Sequence, residues 1–355
     1  MKILHVITSL RVGGAERLMV DLLPRLRALG HEVELLVFDG VDTPFKQALA
    51  GQGITIHELS VGDNVYHPKH IAKLRHFVKN YDVIHTHNTA CQLFVPIAKA
   101  LTRSHVKLIT TEHNATNRRR GKWWWKPLDR LMYRQYDRVI CIANQTRINL
   151  EQHIGANSKI CTVYNGVDVD RFLNPIKDIS SNRHFIVVMI AGFREQKDQD
   201  TAIRAMNELP EQYSLWLVGD GERRPALEAL IEELDLGKRV KLLGVCPHVP
   251  QLLQQCDVVV LSSHWEGLSL SSIEGMASGR PFIASDVDGL HEMVQGSGVL
   301  FEHGDAQALA SAIRLLCENP AKYEQVAQKC QARAKQFDIA VMAKRYVQVY
   351  QEIVS

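Results

Sequence analysis

Glu266 and Glu274, with seven residues between them, lie in the segment whose composition allows the most specific chemistry, residues 263–277. An apolar run, Val258–Leu261, precedes this segment and predicts a buried parallel strand, and Gly279-Arg280-Pro281 would end a helix after it. Carboxylates accept hydrogen bonds from sugar hydroxyls, and free backbone amides at a helix start bind anions. The segment therefore predicts a site, at the carboxyl end of a strand, for a diphosphate that carries a sugar at each end.

Within this site, Glu274 would accept hydrogen bonds from ribose hydroxyls and Glu266 would face a second sugar. Either glutamate alone is better explained as a solvated charge, because most charged residues are simply exposed. The coincidence of a strand, an accessible helix start near Ser269 and Leu270, and two spaced carboxylates favours the binding site.

This segment resembles the paired-glutamate signature of glycosyltransferase family 4, whose members are retaining, nucleotide-sugar-dependent enzymes with the GT-B fold. The resemblance implies that Glu274 binds the donor ribose and that Glu266 is a catalytic residue at the donor sugar. It also implies that amides near Ser269 and Leu270 hold the donor diphosphate. The family often has glycine where this chain has Ser269, which keeps its backbone N–H.

Strand and helix signals alternate along the chain, which predicts an α/β protein with doubly wound, Rossmann-like sheets. Strands of the first half are predicted at 2–7, 33–38, 54–56, 83–85, 107–111, 138–142 and 160–163. The resemblance implies the GT-B fold, in which two such domains face each other across a cleft. Residues 1–170 would bind the acceptor, 171–338 would bind the nucleotide-sugar, and the helix in 339–355 would return to the first domain.

Gly13-Gly14 follows the first predicted strand and precedes a helical pattern. Paired glycines are usually only a tight turn. The loop is not the GxGxxG fingerprint, which removes the main support for a nicotinamide-dependent dehydrogenase. Family 4 has a Gly-Gly loop here, and the resemblance implies that Gly13 and Gly14 let the backbone approach the donor.

His87 and His113 each follow a predicted strand, and Asn114 comes next to His113. A histidine at a strand end is as often a packed, hydrogen-bonded residue, and no carboxylate cluster accompanies these two as metal ligands would require. The resemblance places His113 beside the reacting sugar as a catalytic residue and suggests that His87 and Asn114 contact the acceptor.

Residues 117–126 combine five cations with three of the five tryptophans of the chain. Tryptophan and clustered basic residues favour a membrane surface with anionic headgroups. A folded loop with packed tryptophans and a nucleic-acid surface are the alternatives. We expect membrane contact, through residues that the composition singles out: Arg118, Arg119, Arg120, Trp123, Trp124 and Trp125.

The predicted second domain contains further donor-binding candidates. Family 4 usually has an arginine five positions before the lysine that matches Lys197, and both clamp the diphosphate. Here that position is Gly192, and Arg194 could supply the guanidinium. Gly219 and Val245 lie in loops that the family uses at the edge of the nucleotide pocket.

A chain of 355 residues is longer than one ordinary domain and suggests two, and a content of 46% hydrophobic residues with a net charge of +3 is typical of a globular protein. Met1–Ile7 predicts a strand and not a signal peptide, and seven scattered cysteines predict a reducing cytosol. The two Asp-x-Asp triplets at 168 and 286 are common by chance, so we expect no metal site. We also expect no cofactor beyond the co-substrate and no nucleic-acid partner.

The resemblance implies transfer of a sugar, with retention of configuration, from a nucleotide-sugar to a hydroxyl. UDP is the expected nucleotide because it is the commonest in the family. A glycan or a polyprenyl-diphosphate-linked acceptor at the inner face of the membrane would fit cell-surface polysaccharide synthesis. A nucleotide-sugar epimerase of the same architecture and a membrane-docked nucleotide-binding protein without catalysis are the alternatives.

Overall fold

The computed structural model describes residues 1–11, 13–113, 125–179 and 184–354. Its strands, in chain order, are β1 (Lys2–Ile7), β2 (Glu32–Asp39), β3 (Thr55–Ser60), β4 (Val83–His87), β5 (Lys107–Glu112), β6 (Arg138–Cys141), β7 (Ile160–Thr162), β8 (Phe185–Ile190), β9 (Tyr213–Val218), β10 (Val240–Gly244), β11 (Val258–Leu261), β12 (Phe282–Ser285) and β13 (Val299–Phe301). Its helices are α1 (Gly14–Ala28), α2 (Pro44–Gly51), α3 (Lys69–Leu74), α4 (Thr89–Thr102), α5 (Trp125–Arg134), α6 (Asn144–Ile154), α7 (Gln199–Asn207), α8 (Arg224–Glu233), α9 (Val249–Gln255), α10 (Leu270–Ala277), α11 (Leu290–Val294), α12 (Ala306–Cys317), α13 (Pro320–Ala334) and α14 (Ile339–Val354). Short 3-10 turns lie at Val169–Arg171, Glu195–Lys197 and Lys335–Phe337.

The chain divides into two compact units. The first unit contains Met1–Gly166 and Ile339–Ser355, and the second contains Val167–Asp338. Helix α14 therefore belongs to the first unit, although 172 residues of the second unit precede it in the sequence (338 − 166 = 172).

The first unit is built on a seven-stranded parallel sheet with the order β3-β2-β1-β4-β5-β6-β7. Successive side chains of a strand point to opposite faces, so β1 sends Ile3 and Ile7 to one core and Leu4 and Val6 to the other. Helices α1, α2 and α14 cover the first face. Helices α3 to α6 cover the second. Both faces of the sheet are buried, so the apolar residues of β1 and the polar residues of β4 and β5 alike are shielded from water.

The second unit has a six-stranded parallel sheet with the order β10-β9-β8-β11-β12-β13. Helix α10 packs closely on its centre, because an ideal Cβ added to Gly275 would lie 2.8 Å from Val259 Cγ1 and 2.9 Å from Phe282 Cδ2. Glycine is therefore required at this contact. The helix that carries Glu274 is held against the two strands that precede and follow it.

Each sheet reverses its strand order once, between β1 and β4 in the first unit and between β8 and β11 in the second. The loops that follow these neighbouring strands diverge, which leaves a crevice at the carboxyl edge of the sheet. The glycine loop at Gly13 and the turn at His87 flank the first crevice. Lys197 and Glu266 flank the second.

The predicted α/β class with two doubly wound, Rossmann-like domains is confirmed. Strand β1 has the predicted bounds, α10 begins at Leu270 with Ser269 before it, and Asp305 caps α12 by accepting a hydrogen bond from Ala308 N at 2.8 Å. Among the described residues, no helix combines the length and apolar composition needed to cross a membrane.

Candidate functional site

Lys197 and Glu266 form an ion pair at the crevice of the second unit. Lys197 ends a 3-10 turn after β8, and Glu266 lies in the loop between β11 and α10. Lys197 Nζ donates to Glu266 Oε1, and Ser263 Oγ donates to the same oxygen at 2.8 Å. The side chains are only 18% and 6% exposed. Both charges are thus taken largely out of water and depend on each other for compensation.

Two hydrogen bonds join the turn that ends at Lys197 to the loop that carries Glu266. His264 N donates to Gln196 O at 2.8 Å, and the Gln196 side chain donates to Trp265 O at 2.8 Å. Gly289, before α11, has a φ of 64°, and an ideal Cβ there would lie 2.3 Å from Gly267 O. The position of Glu266 is therefore fixed by three segments that are distant in sequence.

The first turn of α10 is open at its amino end. Ser269 precedes the helix in an extended conformation and does not cap it; its hydroxyl contacts Ser271 Oγ at 3.0 Å instead. The buried Ser272 Oγ has no hydrogen-bond partner within the described part of the chain. Glu274 lies one turn further and is partly exposed. Uncapped amides and hydroxyls of this kind favour an anionic ligand.

Two loops of the second unit approach each other too closely for a side chain. Gly219 has a φ of 142°, and an ideal Cβ on it would lie 2.1 Å from Ala191 O. An ideal Cβ on Gly192 would lie 3.8 Å from Arg194 Nε. The Arg194 guanidinium thus lies next to position 192, within van der Waals contact of an ideal Cβ there. Val245, after β10, is 77% exposed.

At the crevice of the first unit, the glycine loop folds over Glu16 at the start of α1. An ideal Cβ on Gly13 would lie 2.2 Å from Glu16 Oε2, whereas an ideal Cβ on Gly14 meets no described atom within 4 Å. Burial raises the pKa of Glu16, and hydrogen bonds from its own backbone and from Asn88 partly oppose this rise. Asn88 has a strained φ of 69° and donates to Thr8 Oγ1 at 2.9 Å.

Glu16 and Asn88 are site candidates that the sequence interpretation missed. Glu16 lies three residues after the N-cap Gly13, the position of the glutamate in a capping box, but Gly13 lacks the side chain that would have completed that sequence signal. No local pattern would have indicated Asn88.

Four histidines meet beneath this crevice. His87 Nδ1 lies 2.9 Å from His113 Nε2, and His87 Nε2 lies 3.0 Å from His5 Nδ1. His5, His85 and His87 are fully buried, and His113 is partly exposed. Burial lowers the pKa of His5 to about 3 and that of His113 to about 4. It also lowers the pKa of His85 and His87 well below the ordinary value, so all four are neutral at pH 7.

Helix α14 completes this cluster with two phenols. Tyr350 Oη lies 2.7 Å from His85 Nδ1 and 3.3 Å from His5 Nε2. His85 Nε2 lies 2.7 Å from Thr111 Oγ1, which lies 3.3 Å from Tyr346 Oη. The cluster is a continuous chain of hydrogen bonds that runs from Tyr346 to His113.

Two groups of side chains in the described part of the chain have ligand atoms close enough for a metal ion: His5, His85 and His87, and Asp198, His264 and His303. In the first, all six ring nitrogens already have a hydrogen-bond partner. In the second, His264 Nδ1 and His303 Nε2 are 2.5 Å apart, whereas two nitrogens on one tetrahedral zinc ion are separated by about 3.4 Å. Both groups fit hydrogen bonding better than metal coordination.

The structure brings most of the predicted site residues to one of the two crevices. Gly13, Gly14, His87 and His113 lie at the first, and Arg194, Lys197, Gly219, Glu266, Ser269 and Leu270 lie at the second. Glu274 is a turn away and Val245 is a surface residue. The predictions for Asn114, Arg118, Arg119, Arg120, Trp123 and Trp124 fall outside the described residues, and Trp125 is the first residue of α5.

Comparison with known families agrees with this geometry. The family model for glycosyl transferases group 1 matches residues 173–336, and the model for glycosyltransferase family 4 matches residues 12–171. The two models together account for nearly the whole chain and meet at the boundary between its two units.

Named relatives cover the chain to different extents. N-acetyl-alpha-D-glucosaminyl L-malate synthase of Bacillus anthracis is 26% identical over 96% of this chain and 94% of its own length. UDP-Gal:alpha-D-GlcNAc-diphosphoundecaprenol alpha-1,3-galactosyltransferase of Escherichia coli is 28% identical over 66% of both chains.

The solved structures include a close match over the full length. The crystal structure of Anabaena Alr3699/HepE in complex with UDP superposes with a TM-score of 0.86 and 26% identity, over 99% of this chain and 100% of that one. The same protein in complex with UDP-glucose gives a TM-score of 0.85. The chain described here therefore belongs to glycosyltransferase family 4 and is a glycosyltransferase with the GT-B fold.

Proposed function

We propose that the enzyme transfers a sugar from a UDP-sugar, with retention of its anomeric configuration, to a hydroxyl of a lipid-linked or glycan acceptor. The observation that carries the proposal is the Lys197–Glu266 pair beside the uncapped first turn of α10. A cation and free amides suit a diphosphate, and a buried carboxylate beside them suits the hydroxyls of the attached sugar.

The chemical roles follow from charge. As the bond to the leaving diphosphate breaks, Lys197 and the α10 amides stabilise the negative charge that develops on its oxygen, an electrostatic contribution from groups already in place. Glu266 holds the donor sugar and faces the positive charge that develops on it. Glu274 accepts hydrogen bonds from the ribose, and His113 contacts a sugar oxygen.

UDP is the proposed nucleotide. Anabaena Alr3699/HepE was crystallised with UDP and with UDP-glucose, and its structure matches this chain over nearly its full length. The closely packed loop at Gly219 and the exposed Val245 would then lie at the edge of the nucleotide pocket.

A lipid-linked acceptor at the cytoplasmic face of a membrane is the proposed second substrate. The name of the Escherichia coli relative specifies a diphosphoundecaprenol acceptor for that enzyme. In this chain, α5 begins at Trp125, at the end of the basic, tryptophan-rich residues 117–126. Leu128 and Leu131 of this helix are 53% and 58% exposed, and Arg130 and Arg134 lie on the same helix. Apolar and basic side chains on one short helix favour an anionic lipid surface.

Vesicle sedimentation tests the membrane contact. Replacing Trp123, Trp124 and Trp125 with serine, or Leu128 and Leu131 with serine, is expected to reduce binding to vesicles that contain anionic lipid. Leu101→Ser with Leu315→Ser is the control, because these leucines are equally exposed elsewhere (59% and 52%). Equal partitioning of all variants would reject the membrane contact.

Thermal-shift measurements with UDP, GDP and ADP and their sugars test the donor site. A ligand at a hundred times its dissociation constant stabilises the folded state by about 2.7 kcal/mol. Glu274→Ala is expected to abolish the shift with UDP, and Glu233→Ala, on the exposed surface of α8, is expected to retain it. A wild-type enzyme that no nucleoside diphosphate stabilises would reject the proposal.

NMR of the products tests the reaction itself. A new glycosidic bond with the anomeric configuration of the donor is expected when the acceptor is present. Conversion of the donor without an acceptor would indicate an epimerase, and inversion would contradict the retaining mechanism. Biological activity that survives Glu274→Ala would indicate a binding protein.

A further inference from the structure

The buried chain of hydrogen bonds from α14 to His113 has a definite direction. A neutral imidazole has one N–H group, which donates, and one bare nitrogen, which accepts. His5, His85 and His87 each have a partner on both nitrogens, so each receives a hydrogen bond from one side and gives one to the other. Tyr350 likewise accepts on one side and donates on the other. All members must therefore point the same way.

The orientation of the histidine rings supports this chain of hydrogen bonds. The rings of His5 and His87 are only 10° from parallel with centroids 5.3 Å apart, the separation reached when nearly coplanar rings point nitrogen to nitrogen. Their 3.0 Å contact is thus an aligned hydrogen bond.

Two orders of the protons are possible, and they differ at the Tyr346 end. When the chain points towards His113, Tyr346 donates to Thr111, Thr111 donates to His85, and every buried proton has an acceptor. When it points away, His85 donates to Thr111, and among the described residues the hydroxyls of Thr111 and Tyr346 then have only their mutual contact to accept two protons. One buried donor is then unmatched, which biases the two orders by about fivefold to a hundredfold.

The favoured order fixes the outer end of the chain. His113 accepts at Nε2 from His87, so its own proton must lie on Nδ1. Nδ1 of His113 has no partner among the residues that the structure describes, and the ring is partly exposed at the crevice. A donor is thus presented to whatever binds there.

We propose that the chain from Tyr346 to His113 holds His113 as its Nδ1–H tautomer, so that this residue donates a hydrogen bond to an oxygen of the bound sugar. Tyr350, at the centre of the chain, is a positioning residue that acts through His5 and His87. The inference rests on the proposed function for the identity of the ligand, but the tautomer is a property of the enzyme alone. It also means that His113 does not act as a general base at Nδ1.

The test is ¹⁵N NMR of the histidine side chains at pH 7.5 in the ligand-free enzyme, with resonances assigned through single His→Gln variants. The expected result is the Nδ1–H tautomer for His5, His85, His87 and His113 together. The Nε2–H tautomer at His113 would overturn the proposal, because the reversed order places the proton on Nε2 in all four.

Tyr350→Phe interrupts the chain and is expected to give mixed tautomers at His5, His87 and His113. Tyr136→Phe is the matched control, since the partners of this buried phenol within the described part of the same unit are Thr86 and Gln92, which lie outside the chain of hydrogen bonds. An exclusively Nδ1–H His113 in Tyr350→Phe would show that Tyr350 does not set the tautomer.

Kinetics separate this inference from the proposed function. Loss of one neutral hydrogen bond to the sugar is expected to lower kcat/KM by about two- to tenfold in Tyr350→Phe, with Tyr136→Phe close to wild type. If the enzyme binds no nucleotide-sugar but shows the four Nδ1–H tautomers, only the proposed function fails. If it transfers sugar with His113 in the Nε2–H form, only this inference fails.

Discussion

At the scale of single residues, the Lys197–Glu266 ion pair contributes to the stability of the folded protein, and its two charged groups are also the ones proposed to bind the donor. Removing one partner of a buried pair leaves an uncompensated charge, which costs about 3–5 kcal/mol, whereas replacing both with neutral groups of similar size is often harmless. The pair is 18% and 6% exposed, so water compensates little of the loss.

Lys197→Met is therefore expected to lower both thermal stability and transfer, while Lys197→Met with Glu266→Gln recovers the stability but not the activity. Differential scanning fluorimetry and a UDP-release assay measure the two quantities. A double variant as unstable as the single one would show that the ion pair is not what compensates Glu266.

Arg194 offers a second prediction at this scale, because its Nε lies 3.8 Å from an ideal Cβ on Gly192. If it replaces the arginine usual in the family, Arg194→Ala is expected to raise KM for the donor about tenfold, in line with a charge-assisted hydrogen bond of about 1.5–3 kcal/mol. Gly192→Arg in the Arg194→Ala background is expected to restore KM. Failure of both changes to alter KM would leave Arg194 a surface residue.

At the scale of elements, the loops that follow the strands position the site residues. Glycine allows the backbones of two such loops to pack directly against each other. Gly289 and Gly296 both have positive φ values, 64° and 78°. Of these two, Gly289 lies against other backbone: an ideal Cβ added to it would be 2.3 Å from Gly267 O and 2.6 Å from Glu266 O. An ideal Cβ on Gly296 meets no atom of the described residues within 4 Å.

Gly289→Ala is therefore expected to displace the Glu266 loop and reduce transfer at least tenfold at a temperature where the protein is folded. Gly296→Ala has the same type of backbone strain, about 1–2 kcal/mol, and is expected to keep its activity. Activity and melting temperature, measured side by side, distinguish the two effects. Equal activity would show that the loop has room to adjust.

Sequence reasoning succeeded for features that a few consecutive residues determine. The apolar run at Lys2–Ile7 predicts β1, and the strand, polar turn and glycine stop around Glu266 predict α10. It failed where the partners are distant along the chain. His5 and Tyr350 are 345 residues apart and meet only because β1 and α14 share one core. Ser263, which supports Glu266, looks like an ordinary turn residue.

At the scale of the whole molecule, the buried histidines make stability depend on pH. Burial lowers the pKa of His5 to about 3 and that of His113 to about 4. It also lowers the pKa of His85 and His87 well below the ordinary value of an exposed histidine. Between pH 6 and pH 4 the unfolded chain binds protons that the folded protein does not. Stability therefore falls as the pH falls.

Each such histidine contributes a slope of about 1.4 kcal/mol per pH unit in this window. Urea unfolding at several pH values is expected to show the loss in the wild type and a slope shallower by about that amount in His5→Gln. An identical slope in the two proteins would contradict the burial of a neutral His5.

Helix α14 also affects how the protein can be made. Met342, Tyr346 and Tyr350 of α14 complete the core of the first unit. When Met1–Gly166 has emerged from the ribosome, α14 has not yet been synthesised and this core is incomplete. The uninterrupted stretch Val167–Asp338 can reach its native state earlier. Synthesis would then reverse the usual order in which amino-terminal domains fold first, leaving the nascent first unit dependent on chaperones until Ile339–Val354 emerges.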